Sequence, residues 1–207
     1  QKSIEQQHRL LSNKIIGALI LGAGYSRRFG SDKRLHDFKG SSVAEATVLT
    51  YSKVFDHLKV VIRPEDHRLI DRLKDFKVEL IKSENAKHGM GHSLSDGIID
   101  TPWHWTFIGL LDMPYIKATT LQTLKTMAID ADHTKVRIIR ARYLAHSDWQ
   151  THPIGFHSSL YQELAETTGD QGARTILGAH SQQTAQLESN DMGLCKDIDT
   201  PSDLTMN

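Results

Sequence analysis

A single cysteine, Cys195, stands in 207 residues, which excludes an intrachain disulfide framework and any multi-cysteine metal cage. That scarcity predicts a reducing, cytoplasmic setting, with Cys195 as a small buried side chain. An excess of either charge is equally missing. The 25 Lys and Arg balance the 25 Asp and Glu, so bulk electrostatics offer nothing to nucleic acid or to an anionic membrane surface. No apolar run approaches the ~20 residues of a membrane span. Residues 1–14 lack the apolar centre of a signal peptide and read as a flexible polar arm. No internal repeat, low-complexity tract or linker-like shift divides the remainder. Residues 15–207 are therefore expected to form one domain around one sizeable core. The 12 histidines are mostly scattered over polar stretches, where solvated surface is the default. His88 and His92 have helical ligand spacing, but Gly89 stands where a zinc-protease pattern needs Glu, so zinc is not expected.

What is present is concentrated in one stretch. The apolar run Ile15-Ile16-Gly17-Ala18-Leu19-Ile20 empties into Leu21-Gly22-Ala23-Gly24-Tyr25-Ser26-Arg27-Arg28-Phe29-Gly30-Ser31-Asp32-Lys33. A strand that ends in a glycine-rich basic loop offers backbone N–H groups and cations together, which is what a polyphosphate requires. Two better-known phosphate loops fail here. The dinucleotide pattern is met at Gly22 and Gly24 but has Arg27 at its third glycine. The P-loop pattern needs Gly-Lys-Ser or Gly-Lys-Thr, whereas Gly30 is followed by Ser31 and Asp32. The residual pattern is Gly-x-Gly-x-Ser-x-Arg-x-Gly-x-x-Lys, with Arg28 and Lys33 as reaching cations.

Strand-length apolar runs alternate with stretches of helical period, which predicts an α/β sandwich with a mostly parallel sheet. Strands are expected over Ile15–Leu21, Leu58–Ile62, Val78–Ile81, Thr106–Leu111 and Val136–Ala141. Helices are expected over Val43–Phe55, Glu65–Leu73, Met90–Asp100 and Thr119–Ala128, with Trp103 and Trp105 packing at the end of the core. Later segments are less regular. Trp149–Phe156 reads as a strand, and Ser158–Thr167 and Gly172–Ala179 read as helices. Ligands of such sheets sit at the carboxyl ends of strands, where the opening loop emerges.

Other groups converge on that edge. Phe107-Ile108-Gly109-Leu110-Leu111-Asp112-Met113-Pro114 is a buried strand ended by a carboxylate and a proline. Asp112 either holds Mg²⁺, which favours one or two carboxylates plus substrate phosphates, or caps the helix beginning near Lys117. Gly89 and Gly91 lead into a helix whose first turn, with the Ser93 hydroxyl, either reads a base or ribose or bonds only its own backbone. His152-Pro153 and the segment Gly169-Asp170-Gln171-Gly172-Ala173-Arg174 place polar groups where a second substrate could lie. Arg174, in a first helical turn, needs an anionic partner, either a substrate phosphate or Asp170. Asp197 and Asp199 flank Ile198 and share a face if Cys195–Ile198 is a strand, while Thr200-Pro201 with Asp203 signals a helix start.

Taken in order, these segments resemble the MobA-like nucleotidyltransferases, over about residues 15–204. Leu21–Leu35 is similar to that family's L-A-A-G-x-S-x-R-M-G-x-x-K-x-L loop, with Gly22 for the first Ala and Phe29 for Met. Gly22-Ala23-Gly24 and the Gly169–Arg174 segment look more like the molybdenum cofactor cytidylyltransferase branch than the guanylyltransferase branch. Thr151 departs from the glycine usual before His-Pro. The resemblance implies a three-layer α/β/α sandwich with a Rossmann-like sheet of the nucleotide-diphospho-sugar transferase type. It also implies transfer of CMP from CTP to the phosphate of a pterin cofactor, molybdopterin, with release of pyrophosphate. In that role Leu21, Gly22, Ala23, Gly24, Ser26, Arg28 and Lys33 would cradle the triphosphate, and Gly89 and Ser93 the base and ribose. Asp112 and Asp197 would hold Mg²⁺, or Mn²⁺ in its place, and His152, Pro153, Asp170 and Arg174 would meet the acceptor. Arg28, Lys33 and Asp112 would be the catalytic set, and an apo-molybdoenzyme would receive the product. Other NTPs, a sugar-phosphate acceptor, or a non-catalytic nucleotide sensor or cofactor chaperone are the alternatives.

Overall fold

The computed structural model describes residues 14–25 and 29–205. The polar arm expected at the start, up to Asn13, and Ser26 and Arg28 of the phosphate loop lie outside these residues. Seven strands form one sheet: β1 (Ile16–Leu21), β4 (Leu58–Ile62), β5 (Glu79–Lys82), β6 (Trp105–Leu110), β7 (Ile138–Tyr143), β8 (Ile154–His157) and β9 (Thr184–Ser189). A two-residue-per-strand hairpin, β2 (Asp37–Phe38) with β3 (Ser41–Ser42), stands apart from it. The sheet order is β5-β4-β1-β6-β8-β7-β9. All pairings are parallel except those of β8 with β6 and β7. The reversed β8 therefore starts at the edge where β1, β4, β6 and β7 end.

The central strands explain themselves. β1 and β4 are buried at every position, and only a strand covered on both faces reads as a continuous apolar run. Helices supply the cover. On one face lie α1 (Val43–Ser52), α2 (His67–Leu73) and the fourth α-helix in chain order, α4 (Ala118–Asp130). They pack Ala44, Val48, Tyr51, Leu69, Leu73, Leu121, Leu124 and Ala128 against Trp105 and Phe107. The other face is covered by α3 (Met90–Ile98), α5 (Tyr161–Ala165) and α6 (Arg174–Ala179). There Leu94, Ile98, Leu164 and Ile176 meet Leu19, Leu21, Ile108 and Ile154. The result is the expected three-layer sandwich. Among the described residues no helix is long and apolar enough to cross a membrane.

Two helix starts, those of α1 and α4, are secured by specific side chains. Ser42 and Glu45 form a reciprocal capping box on α1, which satisfies two otherwise orphan donors. The start of α4 borrows its cap from far along the chain. Buried Asp191 accepts from Lys117 N at 3.0 Å and Thr120 Oγ1 at 2.6 Å, and from Gly193 N at 2.9 Å. Asp112 caps nothing there.

Several expectations are corrected. Trp149–Phe156 shortens to Ile154–His157, because Pro153 lacks the N–H that would continue the ladder. Ser158–Thr167 begins as a 3-10 turn, Ser158–Leu160, and only Tyr161–Ala165 is α-helical. Cys195–Ile198 is no strand: a 3-10 turn at Met192–Leu194 precedes it, and Ile198 N donates to Asp112 O at 2.9 Å. Beyond Thr200 the helix is a 3-10 turn, Pro201–Thr205. Asp203 accepts from Thr200 N at 2.7 Å and Asp199 N at 3.1 Å, and those bonds together with Lys196 hold its carboxyl well below the usual range. Cys195 is half-buried rather than buried. Two histidines depart from solvated behaviour. Burial pushes both His152 and His157 down to about 4, aided by Arg140 at the first and by His133 and Arg137 at the second.

Replacing Asp191 with alanine is expected to cost about 2 kcal/mol, since a cap is lost and buried donors are left unpaired. Asp112→Ala should leave the denaturation midpoint nearly unchanged. Urea unfolding of the two variants side by side checks the contrast.

Candidate active site

A cavity of about 440 Å³ opens at the carboxyl edge of β1 and β6. Leu21, Gly22, Ala23, Gly24, Lys33, Gly89, Ser93, Asp112 and Asp170 line it, together with Tyr25, Arg34, Lys87, His88 and Met90. His152, Pro153 and Arg174 are not among its lining residues. Two glycines are required by close approach. A Cβ on Gly22 would run into the Leu111 side chain and lie 3.1 Å from Val61 O. Gly89 has φ 120°, and a Cβ there would lie 2.6 Å from Asp170 Oδ1 and from the Gly169 backbone. The contact arises because the start of α3 is clamped to the 167–170 loop, with Gly91 N donating to Gly169 O at 2.7 Å and Thr167 Oγ1 to Gly91 O at 3.1 Å. Ser93 is buried and lines the cavity; among the described residues its hydroxyl has no hydrogen bond to its own helix.

Lys33 stands at the junction of the loop and the acidic groups. Its Nζ lies 2.5 Å from Asp112 Oδ2 and 3.1 Å from Asp199 Oδ1. Burial opposes the ammonium charge, but Asp112 and then Asp199 outweigh it and raise the lysine above its ordinary range. Asp112, Asp197 and Asp199 bring carboxylate oxygens within 4.8 Å of one another. Among the described residues this is the group of three or more potential ligands that the fold assembles. Burial and the charges of Asp199 and Asp112 push the Asp197 carboxyl up. Three carboxylates against one ammonium leave the cluster with a formal charge of −2, and its donors are hard oxygens only. That set fits a divalent cation of the Mg²⁺ or Mn²⁺ kind.

The structure assembles this cluster without a strand at Cys195–Ile198. Ile198 is buried with Phe29, Phe38 and Val43 in a small satellite core, and its N–H is tied to Asp112 O. With Ile198 turned inward, its two acidic neighbours turn outward beside Asp112.

A second set of residues is absent from the sequence reading. Arg34 is buried, and its guanidinium donates to Asp32 at 2.8 and 2.7 Å, to Asp66 at 2.6 Å from both terminal nitrogens, and to Gly22 O at 2.5 Å. Arg63 adds contacts from Nε and Nη2 to Asp66 at 3.0 and 2.8 Å. Its guanidinium also lies over the Tyr25 ring at 4.7 Å. Burial pushes the Asp66 carboxyl up while Arg34 pulls it back. The only local sequence signal was Asp32 just before Lys33-Arg34, where it caps the 3-10 turn Lys33–Leu35 and pairs with Arg34.

The family model of the MobA-like NTP transferase domain matches residues 18–185. The chain is 28% identical over 201 residues to the purine catabolism protein PucB of Bacillus subtilis, covering 91% of this chain and 93% of PucB. It is 28% identical over 109 residues to a probable molybdenum cofactor guanylyltransferase of Natranaerobius thermophilus, 53% of either chain. Among solved structures, Rv0371c of Mycobacterium tuberculosis superposes with a TM-score of 0.77 at 22% identity, covering 92% of this chain and 95% of that one. A manganese complex of Rv0371c superposes with a TM-score of 0.74 at 20% identity, covering 92% and 96%.

Truncating Arg34 to methionine strands two carboxylates and a carbonyl, and should destabilise the fold by about 3–5 kcal/mol. Thermal and urea unfolding test this; a loss under about 1 kcal/mol, the surface-pair range, would show that the cluster is ornamental.

Proposed function

The chain belongs to the MobA-like NTP transferase domain family, and from that membership we propose that it transfers CMP from CTP to the phosphate of molybdopterin, releasing pyrophosphate. The observation that carries this reading is the convergence of Asp112, Asp197 and Asp199 on Lys33 beside the glycine-loop cavity. A protein that merely binds a nucleotide needs donors and cations. Three converging carboxylates would repel a triphosphate unless a divalent cation lay between them. That cation, when bound, would neutralise charge developing on the transferring phosphoryl group.

The chain's own residues then do the positioning. The Gly22–Gly24 backbone, with Ser26 and Arg28, cradles the triphosphate, and Gly89 and Ser93 meet the nucleoside. Lys33, beside Asp112 and Asp199, adds a charge to the leaving pyrophosphate. An oxygen of the acceptor phosphate bonds to the α-phosphorus as the bond from that phosphorus to the β-phosphate oxygen breaks. The acceptor phosphate is already ionised at neutral pH, its second pKa being about 6, so no general base is needed and His88 is not asked to be one. His152, Pro153, Asp170 and Arg174 belong to the acceptor side. CTP is preferred over GTP in this reading because Gly22-Ala23-Gly24 is similar to the cytidylyl branch. The alignments to guanylyltransferases span only about half of the chain.

Pyrophosphate release, assayed across the four NTPs with Mg²⁺ or Mn²⁺ and molybdopterin, should be greatest with CTP and abolished by EDTA. Nucleotide-induced thermal stabilisation without pyrophosphate from any acceptor would identify a binding protein instead. Lys33→Ala should lower kcat/KM by about a hundredfold or more, the scale of losing one charge-stabilising donor, with a far smaller effect on stability. Wild-type turnover in that variant would sink the assignment.

A further inference from the structure

The face of the sheet that walls the cavity does not stop at β6. Leu110 lines the cavity and packs in the same cluster as Ile108 and Ile154. Ile108 is the cross-strand partner of Ile154 on β8, and Ile154 in turn is the partner of Arg140 on β7. Two strand spacings of about 4.8 Å therefore separate the β6 wall from an arginine on the same face. Arg142, two residues further toward the carboxyl edge, shares that face by alternation.

Arg140 is anomalous. It is half-buried, its Nε is shielded from solvent, and that atom has no hydrogen-bond partner. Among the described residues its guanidinium makes no ion pair. Its cross-strand neighbours, Ile154 and Gln186, are both neutral, so the sheet supplies no anion for it. Arg142 is only partly used: Nη2 pairs with Glu188 at 2.7 Å, while its Nε is also buried without a partner. The charge of Arg140 also bears on His152, whose imidazole is neutral at physiological pH. Burying a guanidinium Nε–H without a partner is costly, and Nε with the adjacent terminal nitrogen forms the two-pronged edge that matches a phosphate.

We propose that Arg140, assisted by Arg142 and His152, forms an anion-recognising subsite that holds a phosphate monoester acceptor on the β8–β7 half of the sheet, beside the nucleotide cavity. The proposal deepens the transferase reading and rests on it. It assigns Arg140 to acceptor recognition, a role separate from the donor groups Lys33, Gly89 and Ser93.

The test is calorimetric titration of the full chain with phenyl phosphate, while the donor cavity is held saturated with α,β-methylene-CTP and Mg²⁺. Wild type should bind the probe. Arg140→Gln should weaken it at least tenfold while leaving the affinity for the nucleotide analogue unchanged, a split that general structural damage would not give. Arg142→Gln should weaken it less, because Glu188 already takes part of that guanidinium. If the glutamine variant does not fold, Arg140→Lys, which keeps charge and stem but loses the fork, should still weaken the probe several-fold. Unchanged probe affinity in a folded Arg140 variant, or no probe binding by wild type, overturns the subsite. Failure of wild type to bind the nucleotide analogue would overturn the transferase reading, and this inference with it.

Discussion

The salt-bridged cluster of Arg34 with Asp32, Asp66 and Arg63 is the constraint on which the rest of the site depends. It gathers four places in the chain: the end of β1 through Gly22 O, the exit of the phosphate loop through Asp32, the residue after β4 through Arg63, and the start of α2 through Asp66. Each ion pays a desolvation cost, but two guanidinium groups and two carboxylates cancel formally, and the short bonds satisfy most of their donors. The end of β1 and the segment that carries Lys33 are thereby tied to one another. Lys33 and Arg34 are neighbours in one 3-10 turn, where successive side chains diverge around the axis. The guanidinium is held by Asp66 and the ammonium reaches Asp112 and Asp199.

The acidic cluster depends on a second, smaller anchor. Ile198 is far from β6 in sequence, yet its N–H closes onto Asp112 O and its side chain fills the satellite core with Phe29. One buried aliphatic residue between two aspartates thus does what a strand was expected to do. Asp197 and Asp199 reach the carboxylate cluster of Asp112 while Ile198 between them is buried, without a strand ladder.

How much of this was legible follows from burial. β1, β4 and β6 stood out because strands covered on both faces are written as apolar runs. β9 was invisible in Thr184–Ser189, where Gln186 and Glu188 are exposed and no residue is fully buried. Edge strands are half solvated, and their pairing is decided by neighbours the sequence does not name. Leu21 to Gly24, Lys33, Gly89, Ser93, Asp112 and Asp170 could be read because each sits at a turn with local signals, and the fold brings them to one cavity. Arg34 and Asp66 could not. A buried arginine is unremarked in sequence, since its partners lie 2 and 32 residues away and only the second is set by tertiary structure. His152 was legible as a polar group beside proline, but its dependence on Arg140 comes from the reversed β8.

The reversal of β8 also accounts for the charge pattern. A formally neutral chain offers no attraction to a polyanion at long range, yet the sheet edge is sharply divided. On the β6 side, three carboxylates meet one ammonium, an arrangement that fits a divalent cation. On the β7 side, Arg140 and Arg142 have a single exposed glutamate among their cross-strand partners, and the charge of Arg140 bears on His152. Had β8 run parallel, its start would lie at the far edge, and His152 would be a strand length away from Arg142. Antiparallel insertion instead sets an acid-rich half and a base-rich half side by side along one edge. In the transferase reading these would serve a cation-borne triphosphate and a phosphate acceptor that must meet between them.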